Sequence, residues 1–389
     1  MTTKSIRAAL AASALAVGGL AAVSSSASAM PAHDAAARSA VHACSVSVAP
    51  GHVTCHALVV TGPSGAIVRS TKPLDAAFTP TDIQTAYSLT GLSSGGRTVA
   101  IVDAYGYPAL ESDLATFRST YGLPACTTGN GCLTILDQSG GHNYPPYNSG
   151  WALEQALDVD AVSAACPDCK ILMVQGNAAT FGDLETAVNT AAAHAGVVAI
   201  SNSYSGGNQG NQSAYNHPGI AITASTGDSG FDPGAYPASD THVVAVGGTS
   251  VFRDGSSRGY SETAWNGAGS GCGGNAKPKW QNRANTTCSS KASSDVSAAA
   301  DPSYGGLNIY FGGWIQVGGT SESSPIIAAV YALSGNTKKY PAKIPYKNSS
   351  QLYDITSGSN GGCGTPVCTA RVGWDGPTGV GTPHGVAGF

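Results

Sequence analysis

Glu154 and Asp158 stand four residues apart in the run Trp-Ala-Leu-Glu-Gln-Ala-Leu-Asp, a spacing that puts both carboxylates on one helix face. On a solvated face such a pair merely repels, by roughly a few tenths of a kcal/mol. Leu153, Leu157 and Val159 make this helix core-facing. Burial changes the chemistry, because one carboxyl then keeps its proton and orients the other. Another carboxylate is glycine-flanked, in Ser225-Thr226-Gly227-Asp228-Ser229-Gly230. An aspartate in a turn is commonplace, but this one directly follows a predicted strand at 220–225. The remaining feature is Gly318-Gly319-Thr320-Ser321-Glu322-Ser323-Ser324-Pro325, leading into Ile326-Ile327-Ala328-Ala329-Val330. A serine at a glycine-approached helix entrance has its hydroxyl exposed. Its ordinary duty there is to cap the helix. Pro325 suits the first turn of that helix, predicted at 323–333.

The elements that must position these groups alternate along the chain. A short β-branched run at 98–103 predicts a buried strand, and 109–121 a helix with Leu110, Leu114, Phe117 and Tyr121 on one face. Helices follow at 151–165 and at 181–195, the latter stopped by Gly196, with strands at 170–174 and 197–201. Two more apolar strands are expected at 220–225 and 243–246. Strands alternating with helices of this length imply an α/β domain whose mostly parallel central sheet is flanked by helices. Functional groups in such sheets gather beyond the carboxyl ends of the strands. The stretch 253–312 is rich in Gly, Ser and Asn and reads as long loops or a lobe. No internal repeat is apparent, and no linker divides the chain after residue 78.

Composition limits the function. Of 389 residues only 11% are charged, 42% are hydrophobic and 51 are glycine, which describes a core-forming globular protein and not a solvated polymer. The 19 Lys+Arg against 23 Asp+Glu exclude a broad cationic surface for nucleic acid. At the N-terminus, Lys4 and Arg7 precede an apolar run at 8–23 and the small residues Ala27-Ser28-Ala29, the pattern of a secretory signal ending at residue 29. Its removal makes the net charge of −4 two units more negative. No later stretch is apolar enough to span a bilayer, so an exported protein without a membrane partner is expected. The ten cysteines fall in close neighbours, Cys44/Cys55, Cys126/Cys132, Cys166/Cys169, Cys272/Cys288 and Cys363/Cys368, which in an exported chain read as local disulfides. Cys166-Pro-Asp-Cys169 also has the spacing of a metal or redox pair. Zinc would want a second pair or nearby histidines, and a redox pair would open a helix instead of following one.

Taken together, the Glu154-x-x-x-Asp158 helix, Gly227-Asp228-Ser229-Gly230 and Gly319-Thr320-Ser321-x-x-x-Pro325 resemble the sedolisins, serine-carboxyl peptidases with a subtilisin-like fold. Pro237-Ala238-Ser239, Val246-Gly247-Gly248-Thr249, the segment 201–206 and Thr79-Pro80 add to the likeness, which runs from about Phe78 to the C-terminus in family order. The resemblance implies a subtilisin-like three-layer fold for 78–389, with 30–77 as a short leader or N-terminal extension. It implies Ser321 as nucleophile, Glu154 as the base that takes its proton and returns it to the leaving amine, and Asp158 as the group holding Glu154. It implies Asp228 as a protonated oxyanion donor, and Ser203, Tyr204, Ser205 and Gly206 as the edge that pairs with the substrate backbone. Substrates would be proteins or peptides, cut by a secreted monomeric endopeptidase. A carboxylate base titrates near pH 4, against about 6.5 for histidine, and Asp228 must keep its proton, so hydrolysis is expected to peak below pH 6.

The resemblance further implies one calcium ion near the C-terminus. Asp354 and Asp375 would give carboxylates, and Ile355, Arg371 and Gly373 backbone carbonyls. Two departures from the family stand out: 30–77 is far shorter than the usual inhibitory prosegment, and Glu322 takes the place of a small residue. Other readings remain at this stage. A subtilisin-type Asp/His/Ser site would use Asp103 and His142, but Gly140-Gly141-His142-Asn143-Tyr144-Pro145-Pro146 lacks the expected helix entrance. A glycosidase would use two carboxylates flanking the bond, with Trp265, Trp280 and Trp314 for stacking. A non-catalytic extracellular binding protein on a peptidase scaffold would lack an activated hydroxyl.

Overall fold

The computed structural model describes residues 1–2, 39–46, 49–232, 235–336 and 338–389. The expected signal at 1–29 therefore lies outside the described residues except for its first two. Within 37–389, short runs of Val, Ile and Ala form a central sheet in the order Tyr260–Ala264, Val244–Arg253, Ala221–Ser225, Val197–Asn202, Thr98–Ala104, Lys170–Gly176, Leu133–Asp137. All neighbours in it are parallel except Tyr260–Ala264, which returns antiparallel along Val244–Arg253. Val296–Ala299 pairs with Val244–Arg253 in parallel. Thr98–Ala104 is buried at every position, as expected of a strand covered on both faces.

Three helices matter for the site. Ser149–Ala165, capped by the Asn148 side chain, is buried from Trp151 onward. Buried all round although it carries Glu154, Asp158 and Asp160, it lies against Thr320–Ser334. Leu110–Thr120 also packs on it. Thr320–Ser334 is buried through Leu333 and begins three residues earlier than the sequence suggests. Pro325 consequently stands inside it, where proline cannot donate to the carbonyl four residues back. That carbonyl belongs to Ser321, and it accepts from Ser203 Oγ at 3.4 Å instead.

The stretch expected to be long loops or a lobe carries five paired strands between its loops, Tyr260–Ala264, Gly271–Ala276, Ser290–Ser293, Val296–Ala299 and Leu307–Tyr310. Residues before 78 contribute strands to this body. Ala40–His42 and Leu58–Val60 join Trp314–Gly318 and Leu307–Tyr310 in a second, antiparallel sheet. All five proximal cysteine pairs are disulfides. Cys166 and Cys169 sit beside Asp168, but their sulfurs are bonded to each other and offer no metal a thiolate.

Candidate active site

The carboxyl ends of three parallel strands set the stage. Asp103 is near the end of Thr98–Ala104, Ser203 follows Val197–Asn202, and Asp228 follows Ala221–Ser225. The Ser149–Ala165 helix brings Glu154 and Asp158 to the same place, and the start of Thr320–Ser334 brings Ser321. All six are buried except Asp228, which is half-buried at the cleft wall. The pair at 154 and 158 is thus not a solvated face.

Glu154 Oε2 accepts from the Ala57 N–H at 2.8 Å, and its Oε1 has no partner. Ser321 Oγ donates to the Ser203 carbonyl at 3.3 Å. Asp158 Oδ1 accepts from Ser203 Oγ at 3.0 Å. Burial raises both carboxyls well above the usual range, and the Asp103 charge raises them further. Asp103 itself, with neither oxygen hydrogen-bonded, is pushed up by burial to about 8. The three carboxyls therefore titrate as a set that holds few negative charges at a time. Of the three, Glu154 alone accepts a backbone N–H, which favours its anion. The sequence offers Asp103 only to a histidine-type site; its closeness in charge to Glu154 and Asp158 depends on a side-chain direction that spacing does not reveal.

Asp228 is arranged differently. Its Oδ1 accepts from Thr320 N at 2.7 Å and Thr320 Oγ1 at 2.9 Å, while Oδ2 has no partner. Burial pushes its carboxyl up to about 7. A neutral carboxyl with one oxygen saturated as acceptor carries its proton on the other. Oδ2 opens toward Gly319, where a Cβ would lie 2.6 Å from it, and φ of +100° there is a conformation suited to glycine. Among the described residues none of these acids pairs with Lys, Arg or His; the ion pairs are His242–Asp240, Arg253–Asp82, Arg258–Glu262 and Lys291–Asp295.

Glu322 is buried with neither carboxylate oxygen hydrogen-bonded, and burial raises its carboxyl well above the usual range. His142 is exposed and bonds Tyr144. Of the four residues expected to line the substrate, Ser203 bonds Asp158, and the Tyr204 hydroxyl is turned inward to Asn202 Oδ1 at 2.8 Å. Ser205 and Gly206 border a cleft of about 340 Å³ together with His56, Gly227 and Asp228. His56 was not foreseen: its imidazole lies between Ser225 Oγ and Ser205 Oγ, 2.7 Å from each.

At the C-terminal end, Asp354 Oδ2 accepts from Gly373 N at 2.9 Å, and Asp375 Oδ2 from Arg371 N at 3.2 Å. Ile355 is buried beside them. Asp375 is pushed up to about 7 by burial, and its hydrogen bonds oppose the nearby Asp354 charge. Two acids thus converge on one loop, and the Arg371 guanidinium is engaged through Nε by the Trp374 carbonyl at 3.0 Å instead of by either carboxylate.

No protein-family model matches the chain. Among characterised proteins it is similar to kumamolisin from Bacillus sp. (strain MN-32), 29% identical over 82% of this chain and 64% of that protein. It is also similar to sedolisin from Pseudomonas sp. (strain 101), 28% identical over 78% of this chain and 59% of that protein. The chain thus spans less than two thirds of the length of either relative. In structure it is similar to Pseudomonas sedolisin, a serine-carboxyl proteinase complexed with two molecules of pseudo-iodotyrostatin. The TM-score is 0.66 at 24% identity, covering 82% of this chain and 96% of that one.

Proposed function

This chain belongs to the sedolisin family, with a subtilisin-like fold, and we propose that it is a serine-carboxyl endopeptidase hydrolysing protein or peptide substrates in acid. Ser321 Oγ attacks the scissile carbonyl. Glu154, whose Oε2 is held by the Ala57 N–H, takes the hydroxyl proton and delivers it to the leaving amine. Asp158, tied to Ser203, holds Glu154 and shares its proton load, and Asp103 keeps the set from carrying more than a small charge. Asp228 donates from Oδ2 to the developing oxyanion.

The single observation that carries this reading is Asp228: one oxygen saturated by Thr320, the other unpartnered and opening toward Gly319. An oxyanion donor of that kind works only while protonated, which supports a working range on the acid side of about 7. Five disulfides support secretion.

Calcium is part of the proposal. Asp354 and Asp375, with no cationic side chain bonded to either, fit a hard cation, and the carbonyls of Ile355, Arg371 and Gly373 would complete the oxygen set. Bound there, the ion would pin the C-terminal loops; it takes no part in the reaction.

Two variants test the base. Glu154→Gln should lower kcat by about 100- to 10,000-fold at unchanged fold, whereas His142→Ala should leave turnover intact. Loss of turnover in the histidine variant with retention in the glutamine variant would overturn the assignment.

A further inference from the structure

Asp228 can donate to an oxyanion only if its proton sits on Oδ2, the unpartnered oxygen that opens toward Gly319. A carboxyl left to itself has no preference between its two oxygens. Here the preference comes from Thr320, the residue before the nucleophile. Its N–H donates to Asp228 Oδ1 at 2.7 Å, and an N–H cannot turn round to accept. Its hydroxyl lies 2.9 Å from the same oxygen. A hydroxyl can either donate or accept, so this second contact alone would be indifferent to where the carboxyl proton sits.

Gly227 removes the indifference. Its N–H donates to Thr320 Oγ1 at 3.0 Å, which takes up the acceptor side of that hydroxyl. Among the described residues, Asp228 Oδ1 is then the acceptor left for the hydroxyl proton. The direction of the Gly227 N–H is itself fixed. Its φ of +103° is a conformation suited to glycine, and its turn is tied on both sides. Thr226 N donates to the Val246 carbonyl at 3.1 Å, and the Gly227 carbonyl accepts from Gly269 N at 2.7 Å. The donors therefore run one way, from Gly227 to Thr320 to Asp228 Oδ1.

We propose that Thr320 is the positioning residue of the oxyanion donor: its hydroxyl, aimed by Gly227, confines the Asp228 proton to Oδ2, the side on which the oxyanion forms. This rests on the peptidase reading above. A threonine serving only its own helix would turn its hydroxyl back onto that helix, whereas among the described residues Oγ1 bonds only the strand-end turn that carries Asp228. The same two Thr320 donors favour the Asp228 anion and so oppose the burial that holds its proton. Thr320 thus narrows the working range while it places the proton, and loss of its hydroxyl should act in opposite senses on rate and on range. The titratable neighbours of this carboxyl are Glu154, which feels its charge, and His56 and Asp232, which border the same cleft. His56 is kept uncharged by burial, which lowers it to about 3.

The test compares wild type with Thr320→Val, which lacks the hydroxyl, and Thr320→Ser, which keeps it. Each is assayed on a fluorogenic peptide from pH 3 to pH 9, the alkaline limb being the one that Asp228→Asn lacks. Each is also titrated with a peptide aldehyde, whose hemiacetal oxygen takes the place of the oxyanion. Thr320→Val should lower kcat roughly 3- to 10-fold, about the worth of one hydrogen bond, at unchanged KM. It should weaken aldehyde binding by the same factor and move the alkaline limb to higher pH, and Thr320→Ser should restore all three. Thr320→Val with wild-type kcat, or with lowered kcat and a limb that stays or moves to lower pH, would overturn the inference. So would Thr320→Ser no better than Thr320→Val. Each of these leaves the peptidase reading standing while wild type is active and Ser321→Ala is not. Wild type that hydrolyses neither the peptide nor a denatured protein would remove both.

Discussion

Replacing Asp228 by Asn separates the two things its carboxyl does. The amide keeps an acceptor for Thr320 N and Oγ1, now 2.7 and 2.9 Å from Asp228 Oδ1, and puts an N–H₂ donor where Oδ2 stands, but it cannot ionise. Catalysis and stability should therefore lose their dependence on this group's proton together. For catalysis, wild-type kcat/KM should fall tenfold per pH unit above about 7, the value to which burial pushes this carboxyl. Asp228→Asn should lack that limb, and Asp228→Ala, with no donor, should lose about 100- to 1,000-fold at every pH.

For stability the sign is fixed by the direction of the shift. A carboxyl raised in the folded state from 3.8 to about 7 binds its proton more tightly there than in the unfolded chain. The resulting stabilisation is complete below pH 3.8 and is lost as pH rises through about 7. At roughly 1.4 kcal/mol per pH unit it amounts to about 4 kcal/mol, of which relaxation of the site will remove part. Urea unfolding at pH 4 and pH 8, in an Ser321→Ala background to keep the chain whole, measures it. The drop in unfolding free energy between the two pH values should be smaller by a few kcal/mol, at most about 4, when Asp228 is Asn. An unchanged alkaline limb in Asp228→Asn, or an equal stability drop with and without Asp228, would refute the reasoning.

Two further outcomes follow from neighbouring groups. Asp103, pushed up to about 8 by burial, is already neutral in acid, so Asp103→Asn should leave the acid limb of kcat/KM in place, read from a profile between pH 2 and 6; a shifted limb would show that Asp103 is charged there. Chelation of calcium should lower the thermal midpoint by several degrees, a difference that Asp375→Asn abolishes; differential scanning calorimetry with and without added calcium checks this.

What could be read from the sequence depended on how local the cause was. Glu154, Asp158 and the helix bearing them follow from apolar spacing over a single stretch, and strands such as Thr98–Ala104 declare themselves by β-branched runs. The strands Gly271–Ala276 and Val296–Ala299 do not, since Gly-Cys-Gly-Gly-Asn-Ala alternates in burial without large apolar residues and Val-Ser-Ala-Ala is buried by small size. Leu133–Asp137 is short and half-buried at the sheet edge, and so gives little periodic signal. The helix start was misplaced because Pro325 normally marks a first turn, whereas here Ser203 satisfies the carbonyl that proline leaves free. Least visible of all was the path of residues 53–60. Their partners lie about 150 and 260 residues further on, at Tyr204–Gly206 and Trp314–Gly318, and no local pattern encodes a pairing of that range.

The claim on which the rest depends is that a serine hydroxyl is driven by carboxyls without imidazole. Its most direct test is the pH–rate profile for hydrolysis of a denatured protein by wild type and by Ser321→Ala. The account predicts a maximum below pH 6 that vanishes in the variant. An optimum at pH 8 or above, or undiminished hydrolysis by Ser321→Ala, would contradict it.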